Sequence, residues 1–500
     1  MQHPTPDRVY SREQTRQLDA ALISSGIAGI ELMQRAADAV WQALLARWPD
    51  QRKVTVLCGG GNNAGDGYLV ARLARLAGWE VQVWSVSAPE RLQGDAAAAW
   101  HQALQVGVAV APWRLDGALD GVLVDALLGT GLSGPVRDDY AQVINAVNQS
   151  GCPVLAIDIP SGLDADRGVP LGVSVCADLT VTFIALKLGL LTADGPDLCG
   201  ELIYASLADS LPTEVPAELE LLQLPHLRTC LPARKRSAHK GSFGHLLLVG
   251  GGPGMGGAIM LAAQTALCSG AGKVTVATCG EHVAPLLARC PEAMVREVRH
   301  DSDLRALLAS ADALVVGPGL GRTDWARKML AVCLEAGIPR VLDADALNLL
   351  AQSAGGSTLG AASVITPHPA EAARLLAGAT AQVQGDRLHA VRQLAEQFDC
   401  HVILKGVGSL IACPSSSGDL PAVCGAGNPG MAVGGMGDVL SGLIGALLAQ
   451  RVPAAQAARY AVLVHASAGD LLAMELGEIG IRAGEMVPAI RRVLNQRGVE

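Results

Sequence analysis

At 500 residues the chain is longer than one hydrophobic core usually serves, so two or three domains are expected. Half of the residues are apolar and 17% are charged, which argues against disorder, and a net charge of −9 without a basic stripe argues against a nucleic-acid partner. The one basic cluster, Arg234-Lys235-Arg236 with Lys240, reads as a solvated linker face.

Met1 to Tyr10 is polar and lacks an apolar signal core, and twelve cysteines show no C-x-x-C spacing. A cytoplasmic protein with reduced, buried thiols is expected. Ser11 as N-cap, Gln14 three residues on, and apolar Leu18, Leu22 and Ile23 mark a first helix. Val54 to Cys58 reads as a buried strand, followed by a Gly/Asn loop and a helix that starts near Asp66 and runs through Tyr68 to Leu76. Val81 to Val86, Val122 to Asp125 and Val154 to Ile157 are further strands. Strands that are apolar without alternation and separated by helices predict a mostly parallel sheet covered on both faces.

Asp209 to Lys240, rich in proline, breaks this rhythm, with a short strand at Leu221-Leu222. Alternation resumes with strands at His245 to Val249, Val274 to Ala277, Ala313 to Val316, Val341-Leu342, Val364-Ile365 and Val402 to Leu404. The fold class expected is α/β, with two doubly wound domains, residues 1–215 and 241–500, joined by a linker at 216–240. Between Lys240 and Lys273 no residue carries a full charge, which imitates a membrane span, but ten of these residues are glycine. Backbone that irregular cannot lie exposed in lipid, so no membrane association is expected.

Three motifs of the first domain fall at carboxyl ends of predicted strands, the edge where open α/β sheets bind ligands. Gly59-Gly-Gly-Asn-Asn-Ala-Gly-Asp-Gly67 supplies flexible backbone and a helix N-terminus suited to phosphate. Asp125-Ala-Leu-Leu-Gly-Thr-Gly-Leu-Ser-Gly-Pro135 and Asp158-Ile-Pro-Ser-Gly-Leu-Asp164 each begin with a carboxylate whose burial is costly unless a cation, donor or substrate meets it. In order, the three resemble the epimerase domain of NAD(P)H-hydrate repair enzymes, a Rossmann-like fold. The resemblance implies that Asn62, Asn63, Ala64, Gly65 and Asp66, together with Gly129, Thr130, Gly131, Leu132, Ser133, Gly134 and Pro135, bind the hydrated dinucleotide. It implies a potassium ion on Asn63, Asp125 and Ser161, and Asp158 against the nicotinamide ring as the acid–base residue. Ala64 stands where the family usually has glycine.

In the second domain Gly252-Pro-Gly-Met-Gly-Gly257 satisfies G-x-G-x-x-G, but the acidic residue expected about 20 residues on is missing, Glu281 lying past the next strand. Sharper are Gly317-Pro-Gly-Leu-Gly321, Asp343-Ala-Asp-Ala-Leu-Asn348, Thr366-Pro-His-Pro-Ala-Glu371, Lys405-Gly-Val-Gly-Ser409 and the glycine-rich Gly427 to Gly442, each following a strand or leading into a helix. Backbone N–H groups near Gly434 to Gly437 at a helix start form an anion cradle, and Asp438 beside it can deprotonate a hydroxyl that attacks a phosphate. Asp343 and Asp345 read as loop caps. The set resembles the NAD(P)H-hydrate dehydratase branch of the ribokinase-like superfamily, with Ala370 where glycine is usual. The resemblance implies Asp438 as the base, Ala258, Gly319 and His368 on the hydrate, and Lys405, Gly406, Val407, Gly408, Ser409 and Gly437 on the nucleotide, with Mg2+ on its diphosphate. It further implies NADHX and NADPHX as substrates and ADP, the bacterial-type choice suggested by the fusion, as phosphoryl donor. A homo-oligomer is expected.

Three other readings compete, of which a hydride-transferring dehydrogenase is weakened by the missing ribose-binding acid. A ribokinase-like kinase of a small vitamin-precursor alcohol would release a stable phosphorylated product, and a nucleotide-binding scaffold would show no turnover.

Overall fold

The computed structural model describes residues 6–227, 230–231, 233–353 and 358–496. The chain divides into two compact units, Met1–Glu220 and Leu221–Glu500, the division falling inside the proline-rich stretch.

In the first unit seven parallel strands lie side by side as Val110–Pro112, Glu80–Ser85, Lys53–Cys58, Val122–Ala126, Val154–Ile157, Leu179–Phe183 and Glu201–Ala205. Numbered along the chain, that order is 3-2-1-4-5-6-7, the doubly wound pattern. Right-handed crossovers that run outward in both directions from the first strand put helices on both faces, which is why the central strands are buried along their length. The order reverses between Lys53–Cys58 and Val122–Ala126, and a crevice opens there. Ser11 caps Arg12–Ser24 in a capping box with Gln14, as the sequence predicts. Just before it, Tyr10 pairs with Lys187 in the short parallel ladder of Arg8–Tyr10 and Leu186–Lys187.

One helix departs from expectation. Asn62–Leu76 begins at Asn62, so the predicted Gly/Asn loop is the helix's own first turns and Asp66 lies inside it rather than at its start. Glycine is a poor helix former, costing about 1 kcal/mol against alanine, but packing overrides propensity. A Cβ on Gly67 would stand 2.5 Å from Ala126 Cβ, and one on Gly65 would stand 2.6 Å from Met33 Sδ. The glycines let the helix press onto the sheet and onto Gly29–Arg47.

The second unit repeats the plan. Met294–Glu297, Lys273–Thr278, His245–Val249, Ala313–Val316, Arg340–Leu342, Ser363–Ile365 and His401–Leu404 are parallel, again in chain order 3-2-1-4-5-6-7. An antiparallel hairpin, Ser409–Ala412 and Ala422–Cys424, extends the sheet beyond the last of them. Met436–Ala449 is apolar nearly all round and runs between this sheet and Gly256–Cys268. Its Gly442 and Gly445 allow that approach: added Cβ atoms would lie 2.3 Å from Ala262 O and 2.4 Å from Val315 Cγ2. The uncharged stretch after Lys240 is the strand His245–Val249, a loop and the helix Gly256–Cys268, and among the described residues no helix is long and apolar enough to cross a membrane.

Candidate active site

Each unit carries a cluster of chemically active side chains at the carboxyl edge of its sheet. In the first, the crevice is a cavity of about 800 Å³, lined among others by Asn62, Asn63, Asp66, Gly129, Asp158 and Lys187. Ala64 sits within the helix, buried, so its methyl is accommodated. Gly129 lies against Asn63, a Cβ on it being 3.4 Å from Asn63 Cβ. Asn63 donates to Leu128 O at 3.2 Å, and Leu128 N–H donates to Ser161 Oγ at 2.8 Å. Ser161 in turn donates from Oγ and N to the two oxygens of Asp125, at 2.6 and 2.8 Å. The three residues expected to hold a cation therefore meet around Leu128. Asp125 is fully buried, and burial pushes its carboxyl up to about 6 against the hydrogen bonds from Ser161 and Leu127. No cationic side chain among the described residues pairs with it.

Asp158 follows Val154–Ile157 with φ 68°, a left-handed conformation uncommon for a non-glycine residue, which is the kind of local strain found at functional sites. Its Oδ1 accepts from Lys187 Nζ at 2.5 Å, from Phe183 N–H at 3.1 Å and from Thr182 Oγ1 at 3.2 Å. Lys187 has no solvent exposure and also donates to Phe183 O and Thr182 Oγ1, each at 3.0 Å. Sequence reasoning missed Lys187. The one available signal is a lysine in the apolar run Ile184-Ala-Leu-Lys-Leu-Gly-Leu190, where an unpaired charge would be costly.

In the second unit the strand ends converge on Asp343, and here expectation needs correction. Asp343 is not a loop cap. It is buried, and it accepts from Thr366 Oγ1 at 2.7 Å, Ser441 Oγ at 2.8 Å and Lys405 Nζ at 3.0 Å. Burial raises its carboxyl, but Lys405 and these hydrogen bonds outweigh burial and hold it below its ordinary value. Asp345 does cap, taking the Gly321 N–H at 2.9 Å. Gly437 stands over the pair, since a Cβ there would be 3.2 Å from Lys405 Nζ and 3.5 Å from Asp343 Oδ2. Asp438, in the first turn of Met436–Ala449, is pushed up to about 7 by burial and then by Asp343 and Asp345, with Lys405 opposing.

Lys405 to Ser409 turns between His401–Leu404 and the antiparallel Ser409–Ala412, with Ser409 Oγ donating to Gly406 O at 3.0 Å. Gly319, at φ 57°, packs on Ala258: a Cβ on it would lie 3.1 Å from that of Ala258. His368 caps Pro369–Leu375, its Nδ1 accepting from Ala370 N–H at 3.1 Å. Burial first, then Lys405 and Arg374, keeps its pKa below the ordinary histidine value, so the ring is neutral and carries its proton on Nε2. Glu281, considered as a ribose ligand, instead accepts from Gly254 N–H at 2.9 Å and so ties the Gly252 to Gly257 loop to the segment that follows Lys273–Thr278.

Residues 29–189 match the family model for the YjeF-related protein N-terminus, and residues 246–492 match that for NAD(P)H-hydrate dehydratase. The bifunctional NAD(P)H-hydrate repair enzyme Nnr of Coxiella burnetii is 46% identical over 490 residues, covering 97% of this chain and 99% of its own. The bifunctional NAD(P)H-hydrate repair enzyme of Leishmania braziliensis is 41% identical over 517 residues, covering 95% and 91%. Among solved structures, a ribokinase-like superfamily protein from Enterococcus faecalis superposes with TM-score 0.51 at 30% identity, covering 55% of this chain and 94% of that one.

Proposed function

The chain belongs to the family of bifunctional NAD(P)H-hydrate repair enzymes, and from that premise we propose how its two units divide the work. The enzyme interconverts the R and S forms of NAD(P)HX and dehydrates the S form to NAD(P)H. The first unit is the epimerase. Asn62 to Asp66 and Gly129 to Pro135 bind the dinucleotide, the free N–H groups of the Asn62–Leu76 start facing its phosphates. Asp158 serves the C6 carbon as acid–base residue, because its donors all sit on Oδ1 and leave Oδ2 for substrate. Asn63, Asp125 and Ser161 suit potassium: the donors are oxygens, and Asp125 is a buried carboxylate lacking a counter-charge. The ion would supply that charge and fix the Leu128 turn.

The second unit is the dehydratase. Gly437 and Lys405 to Ser409 hold the nucleotide, Mg2+ neutralising its diphosphate. Ala258, Gly319 and His368 line the hydrate. Asp438 removes the C6 hydroxyl proton as the oxygen attacks the terminal phosphorus of ADP. The resulting phosphate ester leaves from C6 far more readily than hydroxide, assisted by the N1 lone pair, and loss of a C5 proton restores the dihydropyridine. AMP and phosphate are the other products. One observation carries this reading: a carboxyl poised near 7 in the first turn of a glycine-led helix, beside Lys405 and Gly437.

The test is recovery of absorbance at 340 nm from separated epimers. S-NADHX with ADP and Mg2+ should be converted, with AMP formed one for one, and ATP should serve less well. A stable phosphorylated hydrate that never becomes NADH would instead favour the kinase reading.

A further inference from the structure

We propose that Asp66 is the proton donor of the epimerase cavity, working with Asp158 as base, and that Lys187 is the positioning residue that holds Asp158 by its Oδ1. The proposal rests on the reading of the first unit as the epimerase. Asp66 lies one turn inside Asn62–Leu76, and the close packing of Gly65 on Met33 and Gly67 on Ala126 fixes the backbone on either side of it. Its carboxyl is thereby held in the cavity wall that Asp158 also lines.

The environments of the two groups are opposite. Asp158 receives three donors on Oδ1, one of them the ammonium of Lys187 at 2.5 Å. The Asp66 side chain has no hydrogen bond or ion pair among the described residues. The other charged groups lining the cavity are Asp19, Asp95, Arg16 and Arg137. Burial first, then the negative charges of Asp158 and Asp19, raise Asp66 well above the carboxylate range. Two carboxyls in one cavity, one without a donor and one held by an ammonium, are the kind of pair that divides acid and base roles.

The chemistry balances on a hemiaminal carbon. Asp158 Oδ2 takes the proton of the C6 hydroxyl, and the O–H electron pair becomes the second C6–O bond. The C6–N1 bond breaks, its pair remaining on N1 and spreading into the conjugated C3 carboxamide, and N1 takes the proton of Asp66. The open-chain aldehyde has no stereocentre at C6. Rotation about C5–C6 and reversal of the same two transfers close the ring as either epimer and return both carboxyls to their starting states.

Full-length wild type, Asp66→Asn, Asp66→Glu and Lys187→Met are compared by chromatographic resolution of R- and S-NADPHX over time, from pH 5.5 to 9, without ADP. Asp66→Asn should lose about 100-fold or more of the epimerisation rate, and its residual rate should lack the alkaline limb of the wild-type profile. Asp66→Glu, which keeps an acid, should recover part of the rate together with that limb. Lys187→Met should lower kcat for epimerisation more than it changes KM, as Asp158 loses the donor that positions it. The proposal is overturned if Asp66→Asn epimerises at the wild-type rate, if it keeps the alkaline limb, or if Asp66→Glu is as impaired as Asp66→Asn. A wild-type chain that fails to epimerise overturns the epimerase reading itself, and is seen before any substitution is made.

Discussion

Replacing Asp438 with asparagine isolates the proposed base of the dehydratase. The side chain makes no hydrogen bond to a described residue, and its nearest acidic neighbours, Asp343 and Asp345, repel it. The amide has the same shape and no charge, so the fold should tolerate it. The sign of the linkage supports this. Because the folded-state pKa is raised to about 7, stability linked to Asp438 is full below its unfolded value near 3.8 and is lost as pH rises through 7. At pH 8 the variant should therefore unfold at the wild-type temperature or above it. Catalysis should fall steeply. Loss of a general base costs about 10²- to 10⁴-fold in kcat, or about 3 to 5 kcal/mol of barrier. In wild type the ionised fraction of a group titrating near 7 drops about tenfold between pH 8 and pH 6, and S-NADHX dehydration at saturating ADP should follow it. The assay is absorbance at 340 nm under stopped-flow across that range. Wild-type kcat in Asp438→Asn, or an unchanged pH 6 to 8 limb in its residual rate, would refute the assignment.

Three further outcomes are expected. Lys187→Met removes the cation from a buried pair and should destabilise the first unit by about 3–5 kcal/mol, measured as a shift in its urea midpoint, while S-NADHX dehydration is unaffected. KCl, but not NaCl at equal ionic strength, should raise the thermal unfolding temperature of the first unit, and Asp125→Asn should abolish the difference in differential scanning calorimetry. Gly67→Ala gains helix propensity but drives a methyl to 2.5 Å from Ala126; overpacking of this kind costs about 1–3 kcal/mol, so the variant should unfold at lower urea than wild type.

The strands were readable because both sheets are covered on both faces, which makes each strand a short unbroken apolar run such as Val54-Thr-Val-Leu-Cys58 or Ala313-Leu-Val-Val316. Their carboxyl ends then located both sites. What escaped reading depends on partners distant in sequence. The helical nature of Asn62 to Asp66 is set by Met33 and Ala126, which no local propensity encodes. Asp343 resembled a cap because its partners are Lys405, Thr366 and Ser441, brought together only by the sheet. Lys187 lacked a motif altogether, its meaning being supplied by Asp158 across 29 residues of chain. The antiparallel strand Ser409–Ala412 was hidden behind Gly406 and Gly408 of the turn that leads into it.

The central claim is that two separate sites in one chain rescue both epimers, and mixing two single-site variants tests it most directly. An equilibrated R/S mixture of NADHX is given ADP and Mg2+, on a timescale short against spontaneous epimerisation. Asp158→Ala alone should stop once the S fraction is consumed, Asp438→Asn alone should regenerate almost nothing, and the two together should carry the mixture to complete NADH. A mixture of variants that halts at the S fraction, or an Asp158→Ala chain that consumes both epimers unaided, would contradict the account.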